Sequence, residues 1–172
     1  MKIHVLSDLH LEFGDFTPPT TDADVVVLAG DVHLGVRGVR WARDRLGHTP
    51  VIYVLGNHEY YGNATPRLLE KVREAAGPRV HVLERDAVEL DGVRFLGATL
   101  WTDFALHGDP EPALLEAGER MNDYKKIRVS PRYRRLNPVD TRAMHRRARQ
   151  WLEEELARAA DGVERVKVVD FG

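Results

Sequence analysis

Three short apolar segments constrain the fold of this chain more than any other feature of its sequence. Residues 2–6 (KIHVL), 24–29 (DVVVLA) and 51–55 (VIYVL) have the length of strands, and the last two are continuous apolar runs. Such runs are typical of strands that are buried on both faces of a sheet. Amphipathic segments at 36–47 and 65–78 predict helices between and after them. The alternation predicts an α/β fold with a parallel sheet and right-handed crossovers.

Capping and turn residues predict where several elements begin and end. Thr65 suits the N-cap of the second helix, because a proline follows it at the first helical position, and Gly77 suits the end. Residues 87–101 alternate around Asp91-Gly92, a pair that favours the tight turn of a β-hairpin. This part of the chain therefore predicts an antiparallel pair rather than another strand–helix unit.

The rest of the second half predicts a mixture of regular elements and one irregular segment. Residues 79–85 and 163–169 predict strands, and residues 137–162 predict a long helix. Residues 104–136 contain three prolines and predict a cap or surface excursion.

The composition predicts one domain, residues 1–172, in a water-soluble protein. Hydrophobic residues make up 43 % of the chain and charged residues 30 %, and cysteine is absent. The absence of cysteine excludes disulfides, cysteine-based zinc sites and thiol nucleophiles, and it fits a cytoplasmic location. No apolar run approaches the roughly 20 residues that span a bilayer, so we expect no membrane partner.

Positive charge is concentrated in one segment. Residues 125–149 contain ten lysines and arginines and one aspartate, whereas the whole chain has a formal net charge of −2. One interpretation is a surface for an anionic partner such as nucleic acid. The other, which we favour, is that the segment is solvated or pairs with the acidic remainder of the protein, because it lacks the interleaved aromatics of single-strand binders.

Each of the first three predicted strands runs directly into residues that can bind a metal ion. The carboxyl ends of parallel strands meet at one edge of a sheet, which is where sites in such folds gather. A purely structural role would need three unrelated explanations, whereas a metal centre explains all three at once. The residues are Asp8 and His10 after the first strand, Asp31 and His33 after the second, and Asn57, His58 and Glu59 after the third.

The chemistry of these side chains narrows the type of site. Carboxylate, imidazole and amide oxygen without sulfur suit Mn²⁺, Fe or Zn²⁺. An aspartate between two such ions can bridge them at about 3.5–4 Å, and the pair activates water and screens the charge of a phosphate. A nearby histidine that is not a ligand can protonate a leaving group.

The motifs DLH, GD and GNHE, in this order at strand ends, resemble the calcineurin-like metallophosphoesterase superfamily. The stretches LGATLWTDF and MNDYKKIR are similar to a bacterial branch of uncharacterised phosphoesterases within it. The resemblance implies an α/β/β/α sandwich of two mixed sheets and a dinuclear centre, with Mn²⁺ favoured over Fe or Zn²⁺. It also implies hydrolysis of a phosphomono- or phosphodiester substrate through metal-bound hydroxide.

The same resemblance assigns a role to each motif residue. Asp8 and His10 would bind the first metal, Asp31 would bridge the two, and Asn57 would bind the second. His58 would contact the substrate as the acid, so that His58 and Asp31 form the catalytic pair. Three further residues are expected in the second shell or near the substrate: His33, Glu59 and Tyr60, the last of which could equally roof the core.

The sequence departs from the family pattern after the third motif. A later strand-end histidine and a Gly-His-x-His motif do not occur, and the last histidine is His145. We therefore expect the N-terminal part of the family fold, with the second sheet incomplete at the C-terminus and an exposed edge that favours a homo-oligomer. The alternative function is a metal-binding or interaction protein with weak or no catalytic activity.

Overall fold

The described residues fold into two stacked sheets between layers of helices, together with a third sheet of three two-residue strands. The structure is a computed structural model that describes residues 1–46, 49–162 and 165–171. The elements in chain order are β1 (Ile3–Leu6), β2 (Val25–Ala29), α1 (Arg37–Arg45), β3 (Val51–Val54), α2 (Asn57–Tyr60), β4 (Ala64–Thr65), α3 (Arg67–Ala76), β5 (Val80–Leu83), β6 (Asp86–Leu90), β7 (Val93–Thr99), α4 (Glu111–Arg120), α5 (Asp123–Lys126), β8 (Arg128–Val129), β9 (Arg134–Arg135), α6 (Pro138–Gly162) and β10 (Arg165–Phe171).

The first sheet is parallel throughout, with strand order β1-β2-β3-β5. Both faces of its central strands are covered, which explains their continuous apolar sequences. On one face, Val26 and Tyr53 pack with residues of α1 and α3, including Val39 and Val72. On the other face the second sheet covers the strands.

The second sheet has strand order β10-β7-β6 and is mixed, since β10 is parallel to β7 and β6 is antiparallel to it. Val27 and Ile52 of the first sheet pack against Phe95 and Val169 of the second, and these buried side chains fill the space between the sheets. The predicted hairpin is present, with Asp91 and Gly92 at φ values of 49° and 70°. Helix α6 contacts the outer side of this sheet, so the layers run α/β/β/α as predicted.

Helix α3 begins later than the sequence predicts. Thr65 is not its N-cap but the end of β4, where it pairs with Val129 of β8 and accepts a hydrogen bond from the Ser130 amide at 2.9 Å. The helix starts after Pro66, which makes no side-chain cap hydrogen bond. Pairing with a distant strand therefore overrides the local capping preference at this position.

Residues 104–136 contain more regular structure than their prolines suggest. The segment holds α4, α5 and two short strands, and Pro110 and Pro112 lie at the start of α4, where proline is tolerated. Tyr124 and Ile127 are buried in the core cluster that also includes the first sheet. That these residues form a cap over a site stays a prediction.

Helix α6 begins with a reciprocal pair of hydrogen bonds. The Asp140 amide donates to Asn137 Oδ1 and the Asn137 amide donates to Asp140 Oδ2, both at 3.0 Å. This capping box confirms Asn137 as the predicted N-cap. Among the described residues, no helix is long and apolar enough to cross a membrane.

Candidate metal centre

The loops that follow β1 and β2 are joined by backbone hydrogen bonds at the edge of the first sheet. The Asp8 amide donates to the Gly30 carbonyl at 3.2 Å, and the His10 amide donates to the Asp31 carbonyl at 2.9 Å. These bonds continue the strand pairing into the loops. They bring the polar residues of the first two loops side by side.

Three of these loop residues adopt a left-handed backbone. Asp8, His10 and Asp31 have φ values of 54°, 45° and 52°. Non-glycine residues rarely adopt this conformation, and where they do they concentrate at functional sites, because the surrounding structure must hold them there.

The side chains of Asp8, His10 and Asp31 form a cluster whose donor atoms all lie within 4.8 Å of one another. His10 Nε2 lies 3.8 Å from Asp8 Oδ1 and 3.9 Å from Asp31 Oδ2. Two donors bonded to one ion at about 2.1 Å can lie at most about 4.2 Å apart, so both spacings allow a shared ion. The donor types and spacing therefore fit one divalent cation.

Asp31 is buried and connects the loop after β2 to the segment after β3, residues 55–62, which includes α2 and is called the third loop below. Its Oδ1 accepts a hydrogen bond from the His58 amide at 2.9 Å. A Cβ at Gly56 would lie 2.1 Å from the same oxygen, so only glycine allows this approach. Burial raises the pKa of Asp31, and a cation beside it would act in the opposite direction.

The Glu59 side chain joins the loop after β2 to the third loop by hydrogen bonds. It is fully buried, and Oε1 accepts hydrogen bonds from the Val32 amide and the Tyr53 hydroxyl, each at 2.8 Å. Oε2 accepts from the amides of Gly56 at 2.8 Å and Asp31 at 3.1 Å. Burial and the charge of Asp31 raise the pKa of Glu59, and its hydrogen bonds oppose that change.

Glu12 is a site residue that the sequence analysis missed. Its Oε1 lies 2.6 Å from His58 Nδ1 and 3.5 Å from His10 Nδ1, so one carboxylate contacts both histidines. The side chain is only 9 % exposed, and Oε2 is buried without a hydrogen-bond partner among the described residues. The sequence offers only its position two residues after His10, within the stretch DLHLE.

The Asn57 side chain lies at the start of α2 and is tied to a distant part of the chain. Its Nδ2 donates to Asp123 Oδ1 at 2.8 Å and to the Tyr61 hydroxyl oxygen at 3.3 Å. The backbone places Asn57 between Gly56 and His58, both of which contact Asp31. Asn57 therefore lies beside the residues that approach Asp31 at this edge of the sheet.

The sequence matches a known protein family over nearly its whole length. The family model described as calcineurin-like phosphoesterase matches residues 1–171. The chain belongs to the calcineurin-like phosphoesterase family. This result confirms the resemblance that the three strand-end motifs indicate.

This calcineurin-like phosphoesterase is similar to one curated protein in sequence and to one solved structure in fold. An uncharacterised protein of Acanthamoeba polyphaga mimivirus is 24 % identical over 151 residues, which cover 73 % of this chain and 51 % of the relative. The chain thus spans about half the length of that relative. The crystal structure of a phosphopantetheinyl hydrolase from Mycobacterium tuberculosis has a similar fold, with a TM-score of 0.57, 18 % identity, and coverage of 98 % of this chain and 67 % of that one.

His33 lies at the border of the site in this calcineurin-like phosphoesterase. Its Nδ1 accepts a hydrogen bond from the Leu34 amide at 2.9 Å and lies 3.7 Å from Glu12 Oε2. Burial lowers the pKa of His33, which favours its neutral form. His33 therefore adjoins the glutamate rather than the Asp8–His10–Asp31 cluster.

Tyr60 and Tyr61 point to different parts of the structure. Tyr60 is buried at 3 % exposure, and its ring centre lies 6.1 Å from that of Trp101. Both residues line a cavity of about 350 Å³ together with Met144. The Tyr61 ring, by contrast, lies 4.4 Å from the His58 ring, so Tyr61 rather than Tyr60 contacts this histidine.

Proposed function

We propose that the chain carries the site of a metal-dependent phosphoesterase that hydrolyses a phosphomono- or phosphodiester at a dinuclear centre. The observation that carries the proposal is the cluster of Asp8, His10 and Asp31 with His58 beside it. The rings of His10 and His58 are 4.4 Å apart, so a metal site and a proton donor would be neighbours. Family membership supports the same reaction class.

The proposed ligand assignment follows from the donors at the sheet edge. Asp8 and His10 would hold the first ion, Asp31 would be shared, and Asn57 would contribute to the second, with Mn²⁺ as the favoured metal. The ions would supply positive charge for the phosphate oxygens and activation of the attacking water. Asp31 suits the shared position because Oδ1 is fixed by the His58 amide while Oδ2 lies near His10.

His58 would act as the proton donor to the leaving group. Glu12 is an acceptor when ionised, and although burial opposes ionisation, its hydrogen bond with His58 lowers the pKa of Glu12. The Nδ1 proton of His58 is then held by Glu12, which leaves Nε2 to carry the transferable proton. As the water oxygen bonds to phosphorus and releases one proton to solvent, the bond from phosphorus to the ester oxygen breaks and that oxygen receives the proton of His58.

The experiment compares purified variants with a chromogenic phosphodiester and the matching monoester in Mn²⁺. We expect turnover by the wild-type protein, loss of both Mn²⁺ binding and turnover in Asp31→Ala, and retained Mn²⁺ binding in His58→Asn. The rate of His58→Asn should fall by about 10²–10⁴-fold, as for removal of a general acid. Equal rates for the wild type and Asp31→Ala would refute the proposal.

The alternative proposal is a metal-binding protein with weak or no turnover. One observation favours it: the donor atoms of Asp8, His10 and Asp31 form a cluster that fits a single ion. It predicts Mn²⁺ binding that depends on Asp31, without hydrolysis of either chromogenic ester.

We also propose that the protein forms a homo-oligomer, and we do not favour nucleic acid as a partner. β10 is an edge strand of the second sheet, and Val168 within it is 42 % exposed, which supports a homo-oligomer. Several cations of the basic segment are engaged within the protein, including Arg134 with Asp140 and Arg149 with Glu153. These pairs support the interpretation that the segment serves the protein's own surface rather than nucleic acid.

A further inference from the structure

The stretch MNDYKKIR, residues 121–128, has no role in the proposed chemistry, yet it packs directly against the third loop. Ile127 is fully buried, and the Tyr124 hydroxyl lies 3.0 Å from the hydroxyl of Thr141 in α6. These contacts anchor α5. They place Asp123, itself only 5 % exposed, against a loop that lies 66 residues earlier in the chain.

Asp123, Tyr61 and Asn57 form a closed network of three hydrogen bonds. Asp123 Oδ1 accepts from Asn57 Nδ2 at 2.8 Å and from the Tyr61 hydroxyl at 2.7 Å. The Tyr61 oxygen in turn accepts from Asn57 Nδ2 at 3.3 Å. Lys126 Nζ lies over the Tyr61 ring, 4.7 Å from its centre, and adds a cation–π contact.

The chemistry of these groups determines which way the Asn57 amide points. An ionised carboxylate only accepts hydrogen bonds, so the group that faces Asp123 must be the NH₂ of Asn57. Tyr61 has one proton and donates it to Asp123, so it too must accept from Asn57. Both Nδ2 protons are thus engaged, and Oδ1 is directed away from the network.

We propose that Asp123 is a positioning residue that fixes the Asn57 amide with its oxygen available to the second metal ion. The inference rests on the proposed metal site but not on turnover. An asparagine can present either oxygen or NH₂ to an ion, and only the oxygen is a ligand. The network selects the ligating orientation before any metal binds, so that binding does not have to reorient the side chain.

Exchanging the carboxylate of Asp123 and the amide of Asn57 tests this proposal, with Mn²⁺ as the probe. Asp123→Asn replaces a carboxylate, which only accepts hydrogen bonds, by an amide, so the Asn57 amide can rotate by 180°. Asn57→Asp places two carboxylates next to each other. We expect each single variant to weaken the second Mn²⁺ equivalent by about 10–100-fold in calorimetric titration. The double variant restores a donor–acceptor pair, because the amide is now at position 123 and the carboxylate at position 57. One carboxylate oxygen remains for the ion, so this variant should bind Mn²⁺ more tightly than either single variant.

Two controls separate positioning from a structural role. Tyr61→Phe keeps the bond between Asn57 and Asp123 and should lose much less Mn²⁺ affinity than Asp123→Asn. Thermal unfolding in EDTA should show every variant folded at the titration temperature. Should Asp123→Asn fail to fold, the double variant, in which the hydrogen bond is re-formed, carries the comparison with Asn57→Asp.

The outcomes are distinguishable from those that test the phosphoesterase proposal. Wild-type affinity in folded Asp123→Asn would overturn the positioning role, as would a double variant no better than Asn57→Asp. A second Mn²⁺ equivalent unchanged by Asn57→Ala would also overturn it. Metal binding that follows the expected order without ester hydrolysis would uphold the role of Asp123 while refuting the catalytic proposal.

Discussion

The most severe effect we expect from a single conservative substitution is that of Glu59→Gln. The two carboxylate oxygens of this fully buried residue accept four hydrogen bonds of 3.1 Å or less, two on each oxygen. Three of the donors are backbone amides in the loops that bear Asp31 and Asn57. Glutamine has the same shape but replaces one acceptor oxygen by an NH₂ group, which faces two donors instead of accepting from them.

The magnitude follows from the two donors that lose their acceptor. A buried donor without a partner costs about 1–3 kcal/mol, so the free energy of unfolding should fall by about 2–6 kcal/mol. This is a large share of the roughly 5–15 kcal/mol that stabilises a typical domain. The matched control is Glu153→Gln, at a position that is 62 % exposed and paired with Arg149, where about 0.2–1 kcal/mol is expected.

The assay is urea unfolding at pH 7 followed by tryptophan fluorescence, with EDTA present so that metal binding does not contribute. The chain has three tryptophans, and Trp101 lines a pocket together with Asn57, so the signal reports on this part of the fold. A free energy of unfolding for Glu59→Gln within 1 kcal/mol of the wild-type value, at unchanged slope, would refute the reasoning, since about 2 kcal/mol is the least that two orphaned donors imply.

Three further predictions concern catalysis, pH dependence and assembly. Glu12→Gln should lower kcat by about 10–100-fold with little change in KM, because the amide no longer fixes His58; an unchanged kcat in steady-state assays would argue against this role. Arg134 lowers the pKa of Asp140, so this carboxylate stabilises the fold above its unfolded pKa of about 3.8 and the effect is lost as pH falls through the folded value. Asp140→Asn should therefore be less stable than wild type at pH 7 and equally stable near pH 2 in thermal unfolding, whereas a constant difference would contradict the assignment. Light scattering should show a wild-type homo-oligomer that Val168→Lys dissociates, and a monomeric wild type would count against the edge-strand proposal.

Much of the fold could be predicted because its signals are local. The continuous apolar runs of β2 and β3, the Asp91-Gly92 turn and the Asn137 cap each depend on a few adjacent residues, and all occur as predicted. Thr65 shows the limit of such signals. Its local context favours a helix cap, yet pairing with Val129 makes it part of a strand, and no feature within the helix sequence indicates that partner.

In the candidate site, too, the residues with local sequence signals could be predicted, and a residue placed by distant contacts could not. The strand-end rule brings Asp8, His10 and Asp31 together, because parallel strands deliver their following residues to one edge. Glu12 escaped prediction because its position depends on the left-handed turn at His10 (φ 45°), which directs the following residues back towards His58. Residues two apart in sequence do not indicate such a turn unless a glycine marks it.

Glu12 and Asp123 act on adjacent residues of the third loop, His58 and Asn57, and neither lies in that loop. Asparagine and histidine share a property that makes such partners necessary: each has two chemically different faces, amide oxygen and NH₂ or two ring nitrogens, and only one face suits its task. A motif such as GNHE specifies the residue types but not which face is presented. A neighbouring carboxylate resolves this ambiguity, since it accepts only a donor and thereby directs the other face outward. The orientation of the site therefore resides in residues outside its motifs, and two such carboxylates account for both ambiguous side chains of the third loop.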